Sequence, residues 1–326
     1  MVVAGVAITV ACVVFLVLAY LRHERPYGFA WYGWAGVTII LAGEFLLFRR
    51  VEFVARYFTP IAWTGYLLLV DAAVWSLQGR SRLRSQPRTF THMAFWSVPL
   101  WLIFELYNVR LKNWTYVGIP EHLTIQLAGY VWAFATIIPA LMVTTDLILA
   151  LELFRWRDRV RKPLRVHPER FWLLIGFGAI LLALPTFLPT WLGPYLFGLV
   201  WLGFIFLLEP INYRLGLASI LGELMEGRRE RCYALMASGI VCGLLWEFWN
   251  YWAMAKWIYI FPILQGWKMF EMPLPGYAGF PAFALECFAM YEFVDWATRR
   301  AKSAGADVRT TAGGPTLLGG DADSRA

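Results

Sequence analysis

Residues 246–259 read WEFWNYWAMAKWIY and place two polar side chains, Glu247 and Asn250, in an aromatic and otherwise apolar segment. Residues 104–116, FELYNVRLKNWTY, follow the same plan. The shared residues are Glu105, Asn108, Trp114 and Tyr116 in the earlier copy and Glu247, Asn250, Trp257 and Tyr259 in the later one. An ionisable side chain in a membrane-spanning helix costs about 2.5–3.5 kcal/mol. Two copies of so costly a motif predict a duplicated membrane protein with acids in its interior.

The composition around these two stretches is typical of a helical membrane protein. Of the 326 residues, 60% are hydrophobic and only 16% are charged, and the mean hydropathy is +0.55. A helix that crosses a membrane needs about 20 mostly apolar residues. Runs near that length cover residues 1–21, 31–49, 57–78, 90–108, 124–153, 171–190, 192–213, 232–253 and 277–297. We therefore expect an all-α polytopic membrane protein with about nine transmembrane helices, although residues 171–213 also fit one broken helix.

Further matches in the same order extend the internal repeat. Trp63, Gly65 and Asp71 match Trp201, Gly203 and Glu209, and Gly129 and Tyr130 match Gly276 and Tyr277. The matches predict one N-terminal helix followed by two tandem four-helix repeats of the same orientation, since four spans return the chain to the same side. The predicted parts are an N-terminal helix (1–30), a first repeat (31–154), a basic cytoplasmic loop (155–170), a second repeat (171–298) and a disordered cytoplasmic tail (299–326).

Basic residues set the expected orientation. They concentrate after the first, third, fifth, seventh and ninth apolar runs, and the positive-inside rule assigns those loops to the cytoplasm. We expect an uncleaved protein of the cell (inner) membrane with its N-terminus outside and its C-terminus in the cytoplasm. The same loops account for the net charge of +7, so the expected partners are membrane lipids and a hydrophobic small molecule rather than nucleic acid. The oligomeric state is left open.

Five acids in apolar runs are the candidate catalytic residues: Glu247, Glu209, Glu286, Glu105 and Asp71. A carboxylic acid kept neutral by burial is able to act as a general acid. We place Glu105 and Glu247 towards the outer face, Asp71 and Glu209 towards the cytoplasm, and Glu286 between them. A structural role as a hydrogen-bonding group between helices also explains each acid, and the repeated Glu–Asn pair favours a site.

Candidate substrate-binding residues surround the same motif: Asn250, Asn108, Trp246, Trp249, Trp257, Tyr259 and Tyr277. The asparagines lie on the same helical face as the glutamates and would orient the acid or the substrate. The aromatic residues fit either an interfacial belt or an aromatic cavity that stabilises a cation. Tyr277 lies in FEMPLPGYAGFP (270–281), which predicts a re-entrant or extracellular turn with Glu271 near the mouth of the site. The sequence has no metal-binding or nucleotide-binding motif, so we expect neither a metal nor a cofactor.

Three kinds of short stretch resemble one group of membrane enzymes. They are LLLVDAAVW with Asp71, FLLEPINY with Glu209, and a W-x-Y sequence followed by a proline in each half. They resemble the carotenoid-biosynthesis enzymes of the heterodimer-type lycopene cyclase and carotenoid hydratase groups. The resemblance implies repeated helices, intramembrane acids and metal-independent chemistry on an isoprenoid. The proline followed by paired acids of the cyclases is absent, because Pro210 here follows Glu209.

The sequence thus favours an intramembrane enzyme that acts on a lipid or isoprenoid by carboxylic-acid general acid/base chemistry, as a metal-independent cyclase, isomerase or hydratase. Two other functions fit the same residues. A proton- or cation-coupled transporter or channel would use the acids as a ladder, and a scaffold protein would use them to join helices. A closed, lipid-open aromatic pocket around Glu247 and Glu209 favours the enzyme, whereas a polar path that joins the outer and inner acids favours transport.

Overall fold

The computed structural model describes residues 1–155 and 162–312, with side chains through residue 300. The described residues form thirteen α-helices: α1 (Val2–Arg22), α2 (Trp31–Phe48), α3 (Glu52–Arg56), α4 (Phe58–Gln78), α5 (Arg82–Ser85), α6 (Pro87–Leu111), α7 (Leu123–Ala135), α8 (Ile137–Ala150), α9 (Phe171–Phe187), α10 (Phe197–Arg214), α11 (Ile220–Met225), α12 (Glu230–Trp252) and α13 (Gly279–Ala312). Two short ribbons accompany them, formed by strands β1 (Trp114–Val117), β2 (Lys256–Tyr259), β3 (Lys268–Met269) and β4 (Met272–Pro273).

Six helices of the described chain are long and apolar enough to cross a membrane: α1, α2, α4, the continuous stretch of α7 and α8, α9 with the turn before it, and α12. The chain is therefore a helical membrane protein. The long helices α6, α10 and α13 carry Glu105, Glu209 and Glu286. Helices α1, α2 and α9 expose many large apolar side chains, which face lipid in a protein of this class. The buried core lies mainly between α4, α6, α8, α12 and α13.

Two pairs of neighbouring helices pack through glycines at matching positions. A Cβ atom on Gly36 of α2 would lie 2.5 Å from the carbonyl oxygen of Gly65 in α4, so only glycine allows this close approach. A Cβ atom on Gly178 of α9 would likewise lie 2.7 Å from the carbonyl oxygen of Gly203 in α10. Helices α9 and α10 are two separate elements joined by a turn, which settles the alternative left open for residues 171–213.

The ribbon of β1 and β2 joins the two copies of the aromatic motif. The strands are antiparallel, with Trp114 opposite Tyr259 and Tyr116 opposite Trp257. Tryptophan, tyrosine, threonine and isoleucine favour the extended backbone, and these W-x-Y segments follow directly after the ends of α6 and α12. The helical class predicted from the sequence therefore holds, with short ribbons added that the apolar runs did not indicate.

Two predicted segments lie partly outside the described residues. Residues 156–161 belong to the predicted basic loop, and residues 313–326 belong to the predicted tail. Helix α13 continues through Ala312, so residues 299–312 are helical where the sequence predicted a disordered tail.

Candidate functional site

Glu105 binds three aromatic side chains at the end of α6. Its Oε1 atom accepts hydrogen bonds from Trp101 Nε1 at 2.9 Å, Trp114 Nε1 at 3.3 Å and the Tyr116 hydroxyl at 2.5 Å. Trp101 is one helical turn before Glu105, and β1 brings Trp114 and Tyr116 back over the helix end. The carboxyl group therefore fixes the polar edges of three aromatic rings.

Glu247 repeats this arrangement in α12 and is fully buried. Its Oε1 atom accepts hydrogen bonds from the Tyr259 hydroxyl at 3.1 Å and Trp257 Nε1 at 3.4 Å. Trp257 Nε1 also donates to the Tyr259 hydroxyl oxygen at 3.0 Å. The other carboxyl oxygen, Oε2, has no partner among the described residues. Glu247 thus retains one oxygen that is able to carry a proton.

The two asparagines hold the strands in place. Asn108 accepts from the backbone nitrogen of Trp114 at 3.0 Å and donates to its carbonyl oxygen at 3.0 Å. Asn250 accepts from the backbone nitrogen of Trp257 at 3.0 Å and donates to its carbonyl oxygen at 2.9 Å. Each asparagine binds both backbone polar groups of one tryptophan. These contacts differ from the predicted role of orienting the acid or the substrate: each asparagine clamps a strand, and neither lines the cavity described next.

An aromatic cavity of about 170 Å³ lies beside the β1–β2 ribbon. Its lining is dominated by aromatic rings: Tyr57, Trp63, Trp101, Phe104, Trp114, Tyr116, Tyr130, Phe134, Phe197, Trp201, Trp246, Trp257, Tyr259, Phe280 and Phe283. Sites for small molecules are typically concave and mostly apolar, with a few polar groups that fix orientation. The cavity has this character, and its lining includes the two tyrosines that bind Glu105 and Glu247.

Matching positions of the two halves meet across this cavity. The lining contains Thr59 and Phe197, Trp63 and Trp201, Phe104 and Trp246, Trp114 and Trp257, Tyr116 and Tyr259, Phe134 and Phe280, and Ile137 and Phe283. Within each pair the separation along the chain is 138, 142, 143 or 146 residues and grows in order. The cavity therefore takes equivalent side chains from both halves of the sequence.

The predicted substrate-binding residues divide into two groups. Trp246, Trp257 and Tyr259 line the cavity, whereas Trp249 and Tyr277 do not. Trp249 Nε1 donates to Glu44 Oε1 at 3.1 Å, and the Tyr277 hydroxyl donates to the Met269 carbonyl oxygen at 2.8 Å.

Several lining residues were not among the predicted site residues, notably Trp63, Trp101, Trp114, Tyr116, Trp201 and Phe283. The repeat itself would have added Trp114 and Tyr116, because they match Trp257 and Tyr259. Phe283 has no such signal, since its match in the first half is an isoleucine.

None of the five candidate acids lines the cavity. Asp71 instead binds the short helix α5. Its Oδ1 atom accepts from the Leu83 backbone nitrogen at 2.8 Å, and its Oδ2 atom accepts from the hydroxyls of Ser81 and Tyr32, each at 2.7 Å. The first N–H groups of a helix lack partners within the helix. Asp71 therefore attaches α5 to α4.

Glu209 binds the short helix α11 in the same way. Its Oε2 atom accepts from the Leu221 backbone nitrogen at 2.9 Å and from the Ser219 hydroxyl at 2.8 Å. These three residues lie 138 positions after Asp71, Ser81 and Leu83. Asp71 and Glu209 thus hold equivalent loops and are separated from the cavity lining.

Glu286 occupies a different environment in α13. Its side chain is fully buried, and neither carboxyl oxygen has a hydrogen-bond partner among the described residues. Burial of an ionised carboxylate without a partner is very costly. The neutral acid is the form that this position accommodates.

The two cavity tyrosines are held in their protonated form. Burial raises the pKa of Tyr116 and of Tyr259 well above the usual tyrosine value, and the adjacent carboxylates of Glu105 and Glu247 raise it further. A phenolate at either position would lose water and face a neighbouring negative charge. Both hydroxyls therefore stay available as hydrogen-bond donors at neutral pH.

Comparison with known proteins gives no relative from which to assign a function, so the assignment rests on the geometry of the site. No protein family, curated protein or solved structure matches the chain. Within the described residues, no group of three or more histidine, cysteine, aspartate or glutamate side chains is placed to hold a metal ion.

Proposed function

We propose that this protein is an intramembrane enzyme that binds a lipid or isoprenoid in the aromatic cavity and transfers protons to it through Tyr116 and Tyr259. One observation carries the proposal. Each tyrosine lines the cavity and also donates its hydroxyl to a glutamate behind it, Glu105 or Glu247. A carboxyl group that lies outside the cavity is thereby connected to a ligand inside it.

The proton transfer uses Glu247 as the acid and Tyr259 as the relay. When the carboxyl group carries its proton on Oε1, the oxygen that contacts Tyr259, its O–H donates to the Tyr259 oxygen and leaves the tyrosine's own proton directed at the substrate. Tyr259 gives that proton to a substrate carbon–carbon double bond and receives the proton of Glu247, which becomes a carboxylate. The substrate becomes a carbocation, which the faces of rings such as Trp63 and Trp246 stabilise. In an isomerase or cyclase the carbocation then loses a proton to the Tyr259–Glu247 relay, whereas in a hydratase water adds to the carbocation and the proton lost from that water returns to the relay.

The positions of the remaining acids support an enzyme over a transporter. A proton path would join acids at successive depths. Asp71 and Glu209 are each engaged by their own short helix, and Asp146 forms an ion pair with Arg82 at 2.5 Å. A scaffold needs no cavity between the helices, whereas this protein has one lined by both halves.

The same proposal includes the topology expected from the sequence. One N-terminal helix and two four-helix repeats would give nine spans in the cell (inner) membrane, with the N-terminus outside and the C-terminus in the cytoplasm. The matching glycine contacts, carboxylate-bound loops and asparagine clamps support the repeat. The resemblance to carotenoid-biosynthesis enzymes agrees with an isoprenoid substrate and metal-independent chemistry.

Deuterium incorporation tests the proposal directly. Membranes of cells that carry or lack the gene are incubated in D₂O, and their lipids and pigments are analysed by mass spectrometry. The expected product carries deuterium on carbon in the presence of the wild-type protein and is lost with Glu247→Gln and with Tyr259→Phe. Tyr213→Phe is the matched control, because Tyr213 lies outside the cavity lining. An unchanged lipid profile, together with a proton flux in proteoliposomes that Glu247→Gln abolishes, would replace the enzyme with a transporter.

A further inference from the structure

The lining of the aromatic cavity includes two cationic side chains. Arg56 and Lys256 are the charged residues of its lining in the described part of the chain, and no carboxylate lines it. The rest of the lining is aromatic or aliphatic, apart from a few uncharged polar groups such as Thr59 and Gln126. The cavity therefore combines an apolar interior with positive charge.

The backbone brings the two cations to the same end of the cavity. The nitrogen of Met254 donates to the carbonyl oxygen of Ala55 at 2.8 Å, which joins the residue before Arg56 to the segment before Lys256. Lys256 is the first residue of β2 and lies opposite Val117, the last residue of β1. The two cations thus lie at one end of the ribbon, and no other charged residue of the described chain lines the cavity.

Both cations have a carboxylate partner outside the cavity lining, an exposed one for Arg56 and a largely buried one for Lys256, and each cation keeps further N–H donors for a ligand. Arg56 Nη2 donates to Glu52 at 2.6 Å, but the Glu52 side chain is 72% exposed, and ion pairs with an exposed partner add little stability. A guanidinium group has five N–H donors in a planar fork that suits carboxylate and phosphate oxygens. Lys256 Nζ donates to Glu271 at 2.6 Å and to the Tyr251 carbonyl oxygen at 3.2 Å. An ammonium group has three donors.

The residues contributed by the first half of the chain and those contributed by the second half do not surround the cavity in the same way, although many of them match. On the first side Tyr130 lines the cavity and Gly129 is half-buried against the Tyr57 ring. On the second side the matching Tyr277 is tied to the β3–β4 ribbon through Met269, and the matching Gly276 is buried. The longer connection after β2 therefore adds the β3–β4 ribbon on the second side, whereas on the first side Tyr57, at the start of α4, contacts α7 directly at Gly129 and Ile125.

We propose that the ligand is an amphiphile with one acidic head group, a carboxylate or a phosphate, and one apolar chain. Its head binds at Arg56 and Lys256, and its chain enters the aromatic interior between α4 and α7. This inference rests on the proposed function, because it names the substrate class of the same cavity. Charge-assisted hydrogen bonds to an acidic oxygen are about twice as strong as neutral ones, so the head group gives selectivity among apolar molecules of similar length.

Binding of two probes that differ only in the head group tests the inference. Tritiated farnesyl phosphate and tritiated farnesol are titrated against the purified full chain in phosphatidylcholine nanodiscs, with empty nanodiscs subtracted. We expect the wild type to bind farnesyl phosphate at least about tenfold more tightly than farnesol. Arg56→Gln and Lys256→Gln each reduce that ratio by about three- to tenfold, while farnesol affinity stays unchanged and reports an intact cavity.

Arg49→Gln and Lys112→Gln are matched controls, since both residues are exposed and neither lines the cavity. Equal affinity of the wild type for the two probes would overturn the acidic head group while leaving the apolar site in place. Binding of neither probe would overturn the proposed function as well. Displacement of farnesyl phosphate by inorganic phosphate, with no binding of farnesol, would show a soluble-anion site and overturn the amphiphile.

Discussion

Trp114 lies directly opposite Tyr259 in the β1–β2 ribbon, and both residues line the aromatic cavity. Trp114 Nε1 donates to Glu105, whereas the Tyr259 hydroxyl donates to Glu247. The ribbon thus places a hydrogen-bond partner of Glu105 beside a hydrogen-bond partner of Glu247. The two motifs therefore meet at one cavity, which takes lining residues from both halves of the chain.

Removing the relay hydroxyls is expected to lower turnover without emptying the cavity. Tyr259→Phe and Tyr116→Phe keep the ring and remove only the proton-carrying group. General acid–base groups contribute typically 10²–10⁴-fold in rate, so deuterium incorporation from D₂O should fall by about that factor in the more important of the two. Farnesol binding to the same variants is the control for an intact cavity. Wild-type incorporation in the double variant would contradict the tyrosine relay.

The asparagine clamps are expected to matter for stability. Asn250→Ala leaves the Trp257 backbone nitrogen and carbonyl oxygen without their side-chain partner, and a buried polar group left unpaired costs about 1–3 kcal/mol. The variant should unfold at lower temperature in detergent, as followed by circular dichroism. Asn108→Ala should show the same effect on β1. An unchanged unfolding temperature in both variants would mean that the strands are held by their ring contacts alone.

Glu286 is expected to tolerate a neutral isostere. Its carboxyl oxygens have no partner among the described residues, so Glu286→Gln removes no described hydrogen bond. Glu286→Met, which removes the polar group, should match or exceed wild-type thermal stability. Glu209→Ala gives the contrast, because Glu209 accepts from the Leu221 nitrogen and the Ser219 hydroxyl, and it should destabilise by about 1–3 kcal/mol. A well-folded Glu286→Gln protein without activity would assign Glu286 to the site.

The cavity tyrosines predict how stability changes with alkaline pH. The pKa of each is raised in the folded protein, so the folded state keeps protons that the unfolded chain releases above about pH 10. The folded state binds more protons there, and the free energy of unfolding falls as pH rises. Below that pH both states hold the protons, and this contribution is constant. The decline measured by denaturant unfolding between pH 9 and pH 11 should be shallower in Tyr116→Phe and Tyr259→Phe than in Tyr213→Phe.

The sequence predicted the helical membrane class, because the length of an apolar run is a local property. It did not predict that Asn108 and Asn250 clamp backbone groups, since that contact depends on the turn that returns each strand over its helix. Asp71 and Glu209 looked like equal candidates for chemistry, but their partners lie 10 and 12 residues on, in short helices that have no apolar pattern. The cavity lining depends on how α4, α6, α10 and α13 pack against one another. The spacing of residues along a single helix does not show which helices become its neighbours.

Crowding the contact between Tyr57 and α7 is expected to slow ligand entry. A Cβ atom on Gly129 would lie 2.9 Å from a ring carbon of Tyr57, so Gly129→Leu forces the Tyr57 ring or α7 to shift, and both residues line the cavity. Stopped-flow measurement of tryptophan fluorescence on mixing with farnesol should show a lower association rate constant. If the variant only narrows the route, the dissociation rate constant falls by the same factor and the affinity for farnesol stays unchanged. Gly266→Leu is the control, because a Cβ atom there meets open space. A leucine at position 129 must change any passage beside Tyr57. Equal association rates for Gly129→Leu and the wild type would therefore place the entrance elsewhere.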